Sequence, residues 1–184
     1  MVKTGFIHGR FQVLHNDHLT YLLAGKKECE RLVVGITNPD PSLTKQDDAD
    51  VSRSDQTANP LTYYERFLMV QAALVEAGLD LEEFVIVPFP VNFPELYRYY
   101  IPPEAIFFLT IYDDWGEKKL SMFESFGLRT KILWRRSEAE KGLTSTEVRQ
   151  KIVEGKQWQH LVPSSVGRLV VEWGLAERLQ RGSR

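Results

Sequence analysis

The chain has one cysteine in 184 residues, so no disulfide can close within it. A lone thiol, Cys29, fits a reducing compartment and a cytoplasmic protein. No run of 18 apolar residues occurs, which excludes a membrane-spanning helix. The chain opens directly into strand-like sequence, with no signal-peptide apolar region. An excess of basic charge is also missing: Lys and Arg number 23 against 25 Asp and Glu, for a formal net charge of −2. That balance gives no reason to expect nucleic acid as a partner, although a phosphate-binding enzyme needs only a local positive site. Internal repeats are absent, and no third ligand stands at a spacing that would make two nearby histidines a metal site.

What remains is an ordinary globular composition, 43% apolar and 26% charged, long enough to bury a sizeable core. One domain spanning 1–184 is expected. Short apolar runs at 2–7, 32–37, 84–88, 105–110 and 129–134 read as strands. Helical patterns stand between them. One begins at Asn16 or Asp17, either of which can cap it. Another covers 61–77 with Thr62 and Glu65 as a capping box. Others begin near Asp113–Gly116 and at Thr144, and a last amphipathic helix carries Val166, Leu169, Val170 and Trp173. Five alternations predict an α/β fold, a Rossmann-like doubly wound parallel sheet of about five strands. Residues 38–60 are proline- and aspartate-rich with few apolar side chains. They read as a mobile lid, with Asp47, Asp48 and Asp50 solvated and Arg53 a phosphate contact when the lid closes.

The stretch HGRFQVLHNDHL, 8–19, joins the first strand to the first helix. His15 lies just before that helix and His18 in its first turn, so both can face one small volume beside unpaired backbone N–H groups. The positive end of the helix dipole is there too, and such a place suits a phosphate. Gly9 allows close backbone approach, and Arg10 adds a fixed charge with a fork of donors. A second capped helix opens at LTSTEVR, 143–149, and its N-terminus is a second phosphate cradle.

The first stretch resembles the GxFxPxHxGH signature of the HxGH nucleotidylyltransferase superfamily. It is closest to the GRFQPxHxGH form of archaeal-type nicotinamide-nucleotide adenylyltransferases. Gly9, Arg10, Phe11, Gln12, His15 and His18 match; Val13 replaces Pro and Asp17 replaces the Gly of HxGH. LTSTEVR resembles the accompanying ISxTxxR signature, with Thr146 and Arg149 matching outright. NPLTYYERFLM and the closing QWQHLVP also resemble family segments, and the bland reading of Glu65 and Arg66 there is a structural ion pair.

The resemblance implies a nucleotidyl group moved from an NTP, ATP by closest likeness, to a phosphorylated small acceptor such as nicotinamide or nicotinate mononucleotide. Pyrophosphate is released, and Mg²⁺ travels with the NTP. It implies that His15, His18, Arg10 and Arg149 serve the reacting phosphates. His8, Gly9, Phe11, Gln12, Thr144, Ser145 and Thr146 would bind the nucleotide, and Asn92, Phe93, Tyr97 and Arg53 the acceptor. The alternatives are a cytidylyltransferase making a CDP-linked product and a catalytically weak nucleotide-binding protein. A homo-oligomer is compatible with the sequence.

Overall fold

Five strands form one parallel sheet in a computed structural model that describes residues 1–44, 59–140 and 142–182. They are β1 (Val2–Gly9), β2 (Cys29–Thr37), β3 (Phe84–Phe89), β4 (Ile106–Ile111) and β5 (Arg129–Arg135). The order across the sheet is β3-β2-β1-β4-β5. The chain thus winds outward from β1 to β3, then returns to the other side of β1 for β4. Strand order reverses between β1 and β4, and ligands of such sheets bind at that point, outside the carboxyl ends.

The connecting helices are α1 (Asn16–Lys26), α2 (Tyr63–Glu76), α3 (Asp114–Ser125), α4 (Ser145–Val153), α5 (Ser164–Glu172) and α6 (Leu175–Gly182). Two apolar clusters hold them to the two faces of the sheet. Ile7, Leu22, Val34, Val70 and Val148 belong to one; Phe6, Val33, Phe89, Phe107 and Phe123 belong to the other. Successive residues of β1 alternate between them, as strand geometry requires. Each fully buried aliphatic or aromatic side chain contributes about 1.5–3 kcal/mol.

The capping boxes at Thr62/Glu65 and Thr144/Glu147 form as the sequence predicts. Three expectations need correction. The N-cap of α1 is His15, not Asn16 or Asp17. β2 begins at Cys29, because Val2 pairs with Cys29 and Thr4 with Arg31 ahead of the apolar run. The closing amphipathic stretch is two helices with a break at Gly174. Of the expected lid, 38–44 and 59–60 are described: Asp40 caps a short turn at Pro41–Leu43. Residues 45–58, with Arg53 and the three aspartates, lie outside the described residues.

Candidate active site

The two histidines meet as the spacing predicts. Their rings stack with centroids 3.7 Å apart, and the backbone N–H of His15 donates to Nδ1 of His18 at 3.4 Å. An Nδ1 that accepts leaves the neutral ring's proton on Nε2, so His18 presents a donor away from the backbone. His15 is 3% exposed, and its Nδ1 has no partner among the described residues. Burial pushes the His15 pKa down to about 4, against the opposing pull of Asp17 and Glu147. Burial likewise holds His18 well below the usual range, helped by His15 and by the charge of Arg10. Both rings are therefore neutral near pH 7 in the free protein.

The second signature packs directly on the first. Ser145 Oγ donates to the Val13 carbonyl at 2.9 Å. Arg149 donates to the Gln12 carbonyl and to Thr146 Oγ1, the latter at 3.3 Å. Asp17 Oδ2 accepts from the backbone N–H of Leu143 at 2.7 Å, across 126 positions of sequence. The residue that departs from HxGH is thus a clasp between the two signatures. Gly142 makes room for it: its φ is +64°, and a Cβ there would lie 2.3 Å from the same Asp17 oxygen. Thr144 caps α4 through the N–H of Glu147, so the first turn of α4 opens toward the histidines with its next N–H groups unspent within the helix.

Several positions of the first signature act as internal braces. Gln12 is 1% exposed; its amide donates to the Leu61 carbonyl at 3.1 Å and accepts from the Leu61 N–H at 2.9 Å. Its side chain is committed to Leu61. The room at Gly9 is filled from within, because a Cβ there would meet the Phe11 ring at 2.8 Å. Phe11, with φ +52° and 1% exposure, sets its ring edge-on against His18 at 5.2 Å. Phe11 and Gly9 therefore shape the support of His18.

Arg66 does not pair with Glu65. Its guanidinium donates to the carbonyls of Thr37 (2.6 Å), Asn38 (2.7 Å), Arg10 (3.0 Å) and Thr62 (3.2 Å). It is 1% exposed, and burial lowers its pKa to about 10, which leaves it charged at neutral pH. Glu65 instead binds Arg178 of α6 at 2.6 Å. The sequence gives Arg66 a structural role but not these carbonyl partners. The signal was available: Arg66, Met69, Val70 and Ala73 share the buried face of α2, and an arginine there must find acceptors.

The expected acceptor and nucleotide residues outside the two signatures divide. Tyr97 is 5% exposed, packs on Phe89 at 4.7 Å and donates its hydroxyl to the Val91 carbonyl at 2.5 Å, so it is a core residue and not a stacking platform. Asn92 and Phe93 follow β3 on the carboxyl edge and are half-buried. His8 falls apart from His15 and His18, on the other face of β1 among Phe6, Phe89 and Phe123.

A cavity of about 440 Å³ opens at the carboxyl ends of β4 and β5, lined by Tyr112, Asp113, Arg136 and Ser137 among others. Trp134 joins it to α1: its Nε1 donates to the Tyr112 hydroxyl at 2.8 Å, and its ring meets Tyr21 edge-on at 5.8 Å. Among the described residues, no group of three His, Cys, Asp or Glu stands ready to hold a metal, and no helix is long and apolar enough to cross a membrane.

Known proteins resemble this chain in sequence and in fold. Residues 6–151 match the family described as cytidylyltransferase-like. The chain is 52% identical to the phosphonoformate cytidylyltransferase of Streptomyces viridochromogenes, over 96% of this chain and 95% of that protein. It is 28% identical to the nicotinamide-nucleotide adenylyltransferase of Thermococcus kodakarensis, over 98% and 88%. A bifunctional NMN adenylyltransferase/ADP ribose pyrophosphatase from Francisella tularensis shares the fold, with a TM-score of 0.71 at 17% identity. That likeness covers 98% of this chain and 52% of the bifunctional protein, so this chain spans about half its length. With both signatures in contact and the family match covering most of its length, the chain belongs to the cytidylyltransferase-like family and is a nucleotidylyltransferase.

Proposed function

We propose that this enzyme moves CMP from CTP to a small phosphonate-bearing acid of the phosphonoformate type and releases pyrophosphate. The observation that carries this reading is the 52% identity over nearly the whole chain to a phosphonoformate cytidylyltransferase. Adenylyl transfer to nicotinamide mononucleotide is the weaker reading. Its relatives stand at 28% identity, and Tyr97, expected to face a nicotinamide ring, is spent on the core.

In the proposed step an acceptor phosphonate oxygen attacks the α-phosphorus of CTP in line. A P–O bond forms there, the bond from the α-phosphorus to the bridging oxygen breaks, and pyrophosphate leaves with that electron pair. Little covalent help is needed; placement and charge neutralisation carry the rate. His18 Nε2–H and the His15 ring face the phosphates, and the bound anion raises their proton affinity, so each donates more strongly as charge builds. Arg10 and Arg149 hold the triphosphate with the first N–H groups of α4. Mg²⁺ would arrive on the triphosphate and neutralise part of its charge. Two nearby carboxylates are already engaged by backbone N–H groups, Asp17 at Leu143 and Asp113 at Gly116, so the phosphates would be its main ligands. The base would lie in the cavity beside Tyr112 and Arg136.

Pyrophosphate release tests the proposal with CTP or ATP paired with phosphonoformate or nicotinamide mononucleotide. CTP with phosphonoformate should exceed every other pair by tenfold or more in kcat/KM. A preference for ATP with the mononucleotide would overturn it.

A further inference from the structure

His8 stands at the carboxyl end of β1, and the transfer step leaves it unused. It is the second-last residue of β1, on the same face as Phe6 and opposite Ile7. Phe89 and Phe123 meet its ring edge-on at 5.3 and 5.4 Å, and Phe6 lies parallel to it at 6.1 Å. Its Nδ1 is buried and has no hydrogen-bond partner among the described residues. An aliphatic or phenyl side chain would fill this aromatic setting without leaving a polar atom unsatisfied.

A cation stands beside it. Lys119 is four residues before Phe123 on α3, hence on the same helix face, one turn nearer the carboxyl edge of the sheet. Its charge is close enough to add to burial in holding the His8 ring neutral. The 90–93 segment leaves β3 at the same edge, just beyond Phe89. His8 directly precedes Gly9 and the first signature at the carboxyl end of β1, where the strand order reverses toward β4. Beside the His8 ring, Phe89, Phe123 and Tyr97 pack on one another as an aromatic floor.

Resting on the cytidylyl-transfer reading, we propose that His8 and Lys119 form an anion subsite for the acceptor, holding the carboxylate of a compact phosphonocarboxylate while its phosphonate faces the His15/His18 pair. The ammonium supplies charge, the imidazole supplies one N–H, and the aromatic floor limits the acceptor to a short diacid. The subsite explains an otherwise unsatisfied buried nitrogen and gives the enzyme a way to prefer an acid over a neutral phosphonate.

Direct binding to the full-length protein without CTP tests it by titration calorimetry. The probes are phosphonoformate and methylphosphonate, the proteins wild type, His8→Phe and Lys119→Met. Phosphonoformate should bind wild type at least tenfold more tightly than methylphosphonate, and each substitution should weaken phosphonoformate by about tenfold or more, the loss of one charge-assisted contact. Methylphosphonate and CTP affinities should stay within about twofold. In the imidazole NMR spectrum, phosphonoformate should shift the signal that His8→Phe removes. Equal affinity for phosphonoformate in all three proteins, no preference over methylphosphonate, or no binding to wild type would each overturn the subsite. Failure of the parent reading looks different: phosphonoformate binding that depends on His8 and Lys119, yet no pyrophosphate from CTP.

Discussion

Removing the carboxylate of Asp17 should loosen the contact between the two signatures, and Gly142 provides an independent way to break the same contact. Asp17 accepts a 2.7 Å hydrogen bond from the Leu143 N–H, and a bond to an ionised acceptor is worth about 1.5–3 kcal/mol when well shielded. Asp17 is exposed, so about 1–2 kcal/mol is the expected loss for Asp17→Gly. In a chain of this length that is a fall of about 2–8 °C in Tm. Gly142→Ala should cost more. Its φ of +64° penalises any side chain by about 1–2 kcal/mol, and the new Cβ would push Asp17 off Leu143 as well. Each single variant therefore destroys the same bond, and the double variant can lose it only once. Urea unfolding of the four proteins should give a coupling energy of about 1–2 kcal/mol, with the double variant more stable than additivity requires. Additivity within about 0.5 kcal/mol would refute the clasp. CTP affinity should fall in Asp17→Gly, because the cradle at α4 is no longer held against the histidines. A gain in CTP affinity would mean that the carboxylate faces the triphosphate instead.

Other outcomes follow from the same geometry. His15 titrates near 4 when folded and near 6.5 when unfolded. The unfolded state therefore binds more protons between those values, so its contribution to stability is intact above about pH 6.5 and is lost as pH falls toward 4. The loss is about 2 kcal/mol between pH 7.5 and pH 5, and urea titrations should show His15→Gln escaping that much of the fall; identical pH dependence would contradict the buried neutral ring. Arg66→Met strands the carbonyls of Thr37 and Asn38 and should cost more than about 3 kcal/mol, whereas a loss under about 1 kcal/mol would remove it as a brace. Arg149→Ala should weaken CTP by about 10–100-fold and phosphonoformate little, with Lys restoring only part because it lacks the planar fork; equal losses for both ligands would refute its phosphate role.

The fold was legible because each strand is a short apolar run and each helix carries its own cap or apolar face. Thr62 and Thr144 announced two helices through local chemistry alone. The order β3-β2-β1-β4-β5 was not legible, since nothing local says on which side of β1 the fourth strand returns. The stacked histidines were legible from an i,i+3 spacing at a helix start. The clasp was not, because Asp17 and Leu143 are 126 positions apart and a carboxylate in a first helical turn already has a sufficient local reason. Tyr97 misled for a related reason: an aromatic residue in a proline-rich loop looks available, and only the Val91 carbonyl and the Phe89 ring show that it is buried. His8 belongs to the same stretch as His15 and His18 but lies on the other face of β1, a consequence of the two-residue period of a strand.

The most direct test follows the phosphorus atoms. CTP labelled at the α position or at the γ position is incubated with enzyme, Mg²⁺ and phosphonoformate, and the products are separated. Label from the α position should appear in a CMP–phosphonoformate adduct, label from the γ position in pyrophosphate, and His18→Ala should slow both by about 10²–10³-fold, the usual loss for one preorganised donor. Transfer of γ label to the acceptor, or α label recovered as free CMP, would contradict nucleotidyl transfer to this acid.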